Sequence, residues 1–235
     1  LTDPHLGRPG RSLTIGLAAF GGLMANRYFL ERAKGAPAPA GDEALARVEQ
    51  IIAATPDAPP DAQLAFCGDK SFIFAEDAFV MSAKGGSSLI SMLGPVGKRA
   101  YWRPALIAFR EEAARLLLRP VVYAAPPDLL PELIDLGFRV EKVGENALID
   151  LPAFSLKGSA KQNLRTARRR LVEREGAVFE VSAPPLDEPI WRELEEVSNA
   201  WLEAHGGREK AFSLGAFDRA YLRRHPIAIV RQNGI

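Results

Sequence analysis

The sequence predicts an α/β (α+β) fold, with helices packed on a mostly antiparallel sheet, and three observations carry that expectation. Short apolar runs separated by Gly-containing turns fill residues 64–92, helix-period and strand-like runs alternate from Pro104 onward, and Gly and Pro mark the junctions between them. The chain has 235 residues, 47% of them hydrophobic, with 18 prolines and 20 glycines. That length suits one large domain or two of about 100–120 residues each, with apolar content sufficient for a core. Disordered, collagen-like and disulfide-stapled classes are excluded. Cys67 is the single cysteine, so neither an intrachain disulfide nor a Cys-rich zinc site can form, and the chain reads as cytosol-facing.

The elements follow in order. The chain begins with Leu1 rather than Met, which suggests a piece of something longer. Arg8 and Arg11 precede an uncharged run, Ser12–Asn26, shorter than the about 20 residues that a bilayer core requires. It reads as a buried or membrane-surface helix, or as the end of a preceding membrane region, with no clean cleavage site after it. Gly35–Gly41 (GAPAPAG) reads as a linker. Asp42–Ala54 is predicted helical, with Leu45, Val48, Ile51 and Ile52 on one face and Pro56, Pro59 and Pro60 beyond its end. Strand-like runs at Leu64–Cys67, Ser71–Ala75, Ala78–Ser82 and Ser88–Met92, with turns at Gly68-Asp69-Lys70 and Gly85-Gly86, predict a hairpin meander.

Pro104 suits the first turn of a helix running to about Leu118, with Leu106, Phe109, Ala113 and Leu116–Leu117 facing inward. Val121–Ala124 is a predicted strand, Asp128–Leu136 a helix closed by Gly137, and Asn146–Leu151 a further strand. A second unit is expected after Pro152. Ser159-Ala160-Lys161-Gln162 has the spacing of a capping box and opens a helix ending near Gly176. Ala177–Val181 is a predicted strand. Glu188–Ala204 is a predicted helix, with Ile190, Leu194, Val197 and Trp201 at helical spacing and a stop at Gly206-Gly207. Ile227–Val230 is a last strand, followed by a hairpin turn at Gln232-Asn233-Gly234 with no returning strand, so the second unit is expected to be incomplete.

The net charge of +1 conceals an uneven distribution. Residues 1–150 carry 16 basic and 18 acidic side chains, and residues 151–235 carry 14 and 11. Lys157–Arg174 alone holds seven basic residues against one acid, Glu173. On a helix, Lys161, Arg165, Arg168 and Arg169 fall on one face, with Leu164, Ala167 and Leu171 on another. Such a row can follow a phosphate backbone or anionic head groups, or it can be a solvated helix face. No aromatic residue is interleaved with the arginines, which favours backbone recognition over base stacking.

Other patterns are weaker. Gly94-Pro95-Val96-Gly97-Lys98 is not a phosphate loop, because Met92 and Arg99 stand where Gly and Ser/Thr are needed. His5, His205 and His225 have no metal-ligand spacing, and Cys67 reads as a small buried side chain rather than a nucleophile. Arg208–Gly215 follows a helix stop and mixes charge with Phe, Ser and Gly. It reads either as a surface turn or as a binding loop. In the second reading Glu209 could hold an amine or move a proton, and Lys210 could offset a phosphate or an oxyanion.

Gly68-Asp69-Lys70, Leu93–Gly97, Val122-Tyr123, Leu136–Phe138, Lys142–Ala147, Asp150-Leu151, Phe154–Gly158, Leu164-Arg165, Ser198–Leu202 and Glu209–Gly215 occur in this order. Together they resemble the soluble catalytic region of the bacterial phosphatidylglycerol lysyltransferase (aminoacyl-phosphatidylglycerol synthase) family, over about residues 42–235. The resemblance implies tandem GNAT-like units, 42–151 and 152–235, with mixed sheets flanked by helices, and residues 1–41 as a membrane-proximal helix and linker.

It further implies transfer of lysine or alanine from aminoacyl-tRNA to phosphatidylglycerol at the cytoplasmic face of the bacterial inner membrane, beside a multi-pass flippase domain. The product lowers membrane negative charge and hence attraction of cationic antimicrobial peptides. No cofactor or metal is implied, since ester exchange is nearly balanced. By position, Lys161, Arg165, Arg168 and Arg169 are the candidate tRNA-binding face, Glu209 and Lys210 the candidate catalytic pair, and Phe212 and Ser213 the candidate substrate pocket. Gly94 runs directly into Pro95 where the family has an intervening Asp, and Asn146 replaces a Glu or Gln. The family's later Asp-x-x-Arg motif falls beyond Ile235, which raises the expectation that this chain alone is inactive. Acyl-CoA-dependent GNAT transfer, and a non-catalytic basic module for RNA or anionic lipid, are the competing expectations.

Overall fold

A computed structural model describes residues 40–207, 209 and 211–232. The Ser12–Asn26 run, most of the Gly35–Gly41 linker, Lys210 and the end of the predicted 232–234 turn lie outside the described residues. The chain divides into two compact units, and each is described by itself. The first holds the described residues up to Arg139 together with Phe212–Leu214; the second holds those of Val140–Ala211 and from Gly215 onward. The expected division at 151/152 falls inside the second of these.

In the first unit, α1 (Asp42–Ala53) buries Val48 and Ile51. Four strands follow the order β1 (Ser71–Ala75), β2 (Ala78–Gly85), β3 (Ser88–Gly97) and β4 (Arg119–Tyr123). β1–β2 and β2–β3 are antiparallel, whereas β4 lies parallel to β3 with Ser88 opposite Arg119 and Met92 opposite Tyr123. The predicted meander is present, and the sheet is mixed because α2 (Trp102–Arg115) carries the chain back across it before β4. α2 turns Ala105, Leu106, Phe109 and Ala113 inward, with Ala105, Phe109 and Ala113 packed on Ala78, Val80 and Leu89 of the sheet. Leu116 is also buried, but Leu117, expected inward, is exposed. A second cluster joins Leu106 to Leu129, Leu133 and Leu136, around α3 (Leu130–Asp135).

Two positions in β3 require glycine. Gly97 has φ +123°, and a Cβ there would press on the Asp77 carbonyl and lie 2.7 Å from Ala78 Cα. Gly94, φ +102°, lies where a Cβ would meet Leu129 Cδ2 at 2.5 Å.

Several expectations are corrected. Leu64–Cys67 is not a strand but the end of a 3₁₀ helix, Pro60–Cys67, which Pro at its first turn favours and Gly68 (φ +74°) ends. Cys67 is half-buried. Asn146–Leu151 forms no strand: Leu148 and Ile149 are exposed, and no described strand pairs with them. The capping box does not form. The chain instead turns at Gly158 (φ +88°) into a 3₁₀ turn, Ser159–Lys161, with no side-chain cap bond.

In the second unit, α4 (Gln162–Arg169) continues as a π-helical turn, Arg170–Arg174. β5 (Val178–Ser182) pairs antiparallel with β6 (Ile227–Arg231). Between them lie α5 (Glu188–Ala204) and the short α6 (Arg219–Leu222), capped by the Asp218 carboxylate accepting from Tyr221 N–H at 2.8 Å. α5 matches its predicted bounds, but its most buried residue is Trp191, while Val197 and Trp201 are exposed. The Arg219 guanidinium lies 5.7 Å and that of Arg223 5.9 Å from the Trp191 ring. Arg219 also bridges Glu188 and Glu195 at 2.9 and 2.8 Å, and these carboxylates hold its guanidinium above its ordinary range. Arg231 ties β6 to Glu180 of β5 and Glu193 of α5.

Candidate functional site

The described candidate residues of the 209–215 segment, Glu209, Phe212 and Ser213, have distinct local surroundings. Within the second unit, Glu209 Oε1 accepts from Phe217 N–H at 3.0 Å, so its carboxylate closes the local turn. The side chain is exposed, and its second oxygen has no partner among the described residues. Within the first unit, Phe212 and Ser213 are half-buried, and Phe212 has φ +35°, which is uncommon for a residue with a Cβ. Phe212 N–H donates to Asp69 Oδ2 at 2.8 Å. The other Asp69 oxygen accepts from Lys70 Nζ at 2.5 Å, and that ammonium lies 5.5 Å from the Phe212 ring centroid. Lys70 has no side-chain exposure, against 30% for Asp69.

Sequence reasoning took Gly68-Asp69-Lys70 as a turn and missed these partners. The available signal was an adjacent opposite-charge pair wedged between an apolar run and a strand, a place where a lysine is seldom buried unless paired.

The predicted basic row is partly rearranged. Lys161 belongs to the turn before α4 and lies over the Phe154 ring at 5.4 Å. Arg165 turns back on its own chain: one guanidinium nitrogen donates to the Leu156 carbonyl at 2.5 Å and the Gly158 carbonyl at 2.6 Å. Arg168 and Arg169 are exposed in the last turn of α4, and the helical run continues beyond them to Arg174. Arg169 approaches Glu173 at 3.8 Å, and Arg170 pairs with Glu175 at 3.2 Å. Arg168 has no partner among the described residues. A shallow groove of about 480 Å³ beside α2 is lined by Phe72, Ile73, Ala108, Glu111, Glu112 and Arg115, none of them a candidate residue.

Among the described residues there is no cluster of three His, Cys, Asp or Glu side chains able to hold a metal, and no helix long and apolar enough to cross a membrane.

The profile of the family described as phosphatidylglycerol lysyltransferase, C-terminal, matches residues 49–235, a span that includes Asp69, Lys70, the α4 arginines and the 209–215 segment. The chain belongs to this family. Phosphatidylglycerol lysyltransferases from Bacillus subtilis and Staphylococcus aureus are 35% and 32% identical to it over 170 residues, covering 72% of this chain and 20% of each relative. The chain therefore spans about a fifth of the length of these lysyltransferases. The solved structure of L-PGS from Bacillus licheniformis superposes with a TM-score of 0.73 at 30% identity, over 83% of this chain and 60% of that one. A C-terminal domain from Agrobacterium fabrum, named for a putative lysylphosphatidylglycerol synthetase, superposes with a TM-score of 0.75 at 38% identity, over 82% and 60%. The mixed α/β architecture is thus that of the lysyltransferase C-terminal region.

Proposed function

We propose that this chain is part of the catalytic region of an enzyme that moves an aminoacyl group, lysine or alanine, from aminoacyl-tRNA to phosphatidylglycerol. The observation that carries the reading is the family match over residues 49–235, which includes every candidate residue. A glycerol hydroxyl of the lipid attacks the aminoacyl ester carbonyl, and the tetrahedral intermediate collapses with the tRNA ribose oxygen as leaving group. The proton lost by the attacking hydroxyl ends on that oxygen, so one ester replaces another and no ATP or metal is needed. Catalysis rests on positioning and on stabilising the oxyanion.

Glu209 holds the substrate amine or relays the proton, and Lys210 offsets the oxyanion. Phe212 and Ser213 shape the aminoacyl pocket. Lys161, Arg168 and Arg169 follow tRNA phosphates, while Arg165 supports them by fixing the turn that leads into α4. The working arrangement is two GNAT-like units, 42–151 and 152–235, with residues 1–41 leading to a flippase domain in the inner membrane. The reaction then takes place at its cytoplasmic face. The test incubates the full-length protein with labelled aminoacyl-tRNA and phosphatidylglycerol vesicles. Labelled aminoacylated lipid is the expected product; acyl-CoA turnover, or binding without product, would overturn the reading.

A further inference from the structure

We infer that Asp69 is a positioning residue: held by the buried Lys70 ammonium, its carboxylate latches the Phe212 backbone and so sets the conformation of Phe212 and Ser213. The inference rests on the proposed role of these two residues in the aminoacyl pocket and deepens it.

Three features of the first unit converge on the latch. The Asp69 carboxylate is used at both ends, Oδ1 toward Lys70 at 2.5 Å and Oδ2 toward Phe212 N–H at 2.8 Å. Lys70 is enclosed, with no side-chain exposure, and faces the Phe212 ring at 5.5 Å, so the same cation holds both the carboxylate and the ring. Phe212 has φ +35°, a left-handed conformation that persists only where its surroundings over-determine it. A bond from that N–H to a fixed carboxylate is such a determinant.

The local chain places the pair. The 3₁₀ helix ends at Gly68 in a left-handed conformation (φ +74°), and β1 begins at Ser71. Asp69 and Lys70 are therefore pinned between two regular elements, and Lys70 is further tied by its carbonyl accepting from Ala40 N–H at 3.4 Å. A carboxylate on such a base loses little freedom when it accepts the Phe212 bond.

The test compares two double variants of the full-length protein, both of which remove the buried charge pair. Asp69→Asn with Lys70→Met keeps a side-chain carbonyl for Phe212 N–H; Asp69→Leu with Lys70→Met does not. Amide hydrogen exchange at Phe212 is expected to be about tenfold faster in the Leu variant than in the Asn variant, the loss of one hydrogen bond. The kcat for aminoacyl-lipid formation should fall by about the same factor, with KM for aminoacyl-tRNA unchanged, because the latch orders the pocket rather than the phosphate-binding side chains. Partial rescue by Asn separates a latch from general loss of structure, which would lower both variants alike. Equal exchange in the two variants would overturn the latch. Faster exchange with unchanged kcat would overturn its role in positioning the pocket. A wild-type protein that forms no aminoacylated lipid would instead overturn the transferase reading, while the exchange comparison still decides the latch.

Discussion

Arg165 and Arg168 occupy the same basic helix but differ in what they touch, and substituting each by Gln separates an arginine that closes the local turn from one proposed to meet tRNA phosphates. Arg165 donates from one nitrogen to the Leu156 and Gly158 carbonyls at 2.5 and 2.6 Å, closing the chain that enters α4. Gln is too short to reach both. A hydrogen bond from a charged donor contributes about 1.5–3 kcal/mol; exposure places this fork near the lower end, and for a chain of this size a loss of about 1.5 kcal/mol lowers Tm by about 3–6 °C. Arg168 is exposed, without a partner among the described residues, so Arg168→Gln should change stability by less than about 0.5 kcal/mol.

The tRNA readout runs the other way. Removing a cation that neutralises one phosphate reduces the slope of log affinity against log salt by roughly 0.7–0.9. Arg168→Gln should show that reduction. Arg165→Gln should weaken affinity with little change of slope. Thermal melts, and filter binding of aminoacyl-tRNA between about 50 and 200 mM salt, a span over which phosphate neutralisation changes affinity strongly, measure both quantities. The reasoning is refuted if Arg165→Gln leaves Tm unchanged while flattening the salt slope, or if Arg168→Gln leaves the slope intact.

Three further outcomes follow from the first unit. Gly97→Ala should cost at least about 2 kcal/mol in denaturant titrations, because φ +123° is closed to a Cβ that would also press on Asp77 and Ala78; a smaller loss would mean that β3 can shift. Ser82 and Ser91 face each other across β2–β3, both fully buried with hydroxyls that find no partner among the described residues, so Ser82→Ala should be neutral or raise the urea midpoint, and a clear loss would reveal a bond to that hydroxyl. The Glu112 carboxyl is held below its ordinary value of 4.5 by the Arg115 hydrogen bond. A depressed folded-state pKa contributes stability above the unfolded value and loses it as pH falls through the folded one. Glu112→Gln should therefore lower the urea midpoint at pH 7 and converge with the wild type in acid, and an equal deficit at every pH would contradict the assignment.

Local punctuation made some elements legible and left others hidden. α5 begins after Asp187, carries Pro189 in its first turn and stops before Gly206-Gly207, so its bounds are readable without tertiary information. Its buried face is not: Trp191 is covered through the side chains of Arg219 and Arg223, contributed by a segment far along the chain. Leu64–Cys67 misleads because a four-residue apolar run has no period, and the preceding prolines decide for a 3₁₀ helix. At the candidate site, residue types and order were readable, but the Asp69–Phe212 bond joins positions 143 apart in sequence, and no local pattern encodes it.

The same limit applies to the basic segment, where counting seven cations against one acid overstates a uniform face. Arg165 is committed to two carbonyls, whereas Arg169 has an exposed pair with Glu173 at 3.8 Å and Arg170 a part-exposed pair with Glu175 at 3.2 Å. Exposed ion pairs contribute about 0–1 kcal/mol, so an approaching phosphate can displace these glutamates at little cost, while displacing the Leu156 and Gly158 carbonyls would undo the turn into α4. The polyanion-accessible charge therefore concentrates where α4 passes into the π-helical turn, at Arg168, Arg169 and Arg170. There a bound phosphate has to compete with weak carboxylate partners rather than with the fold itself.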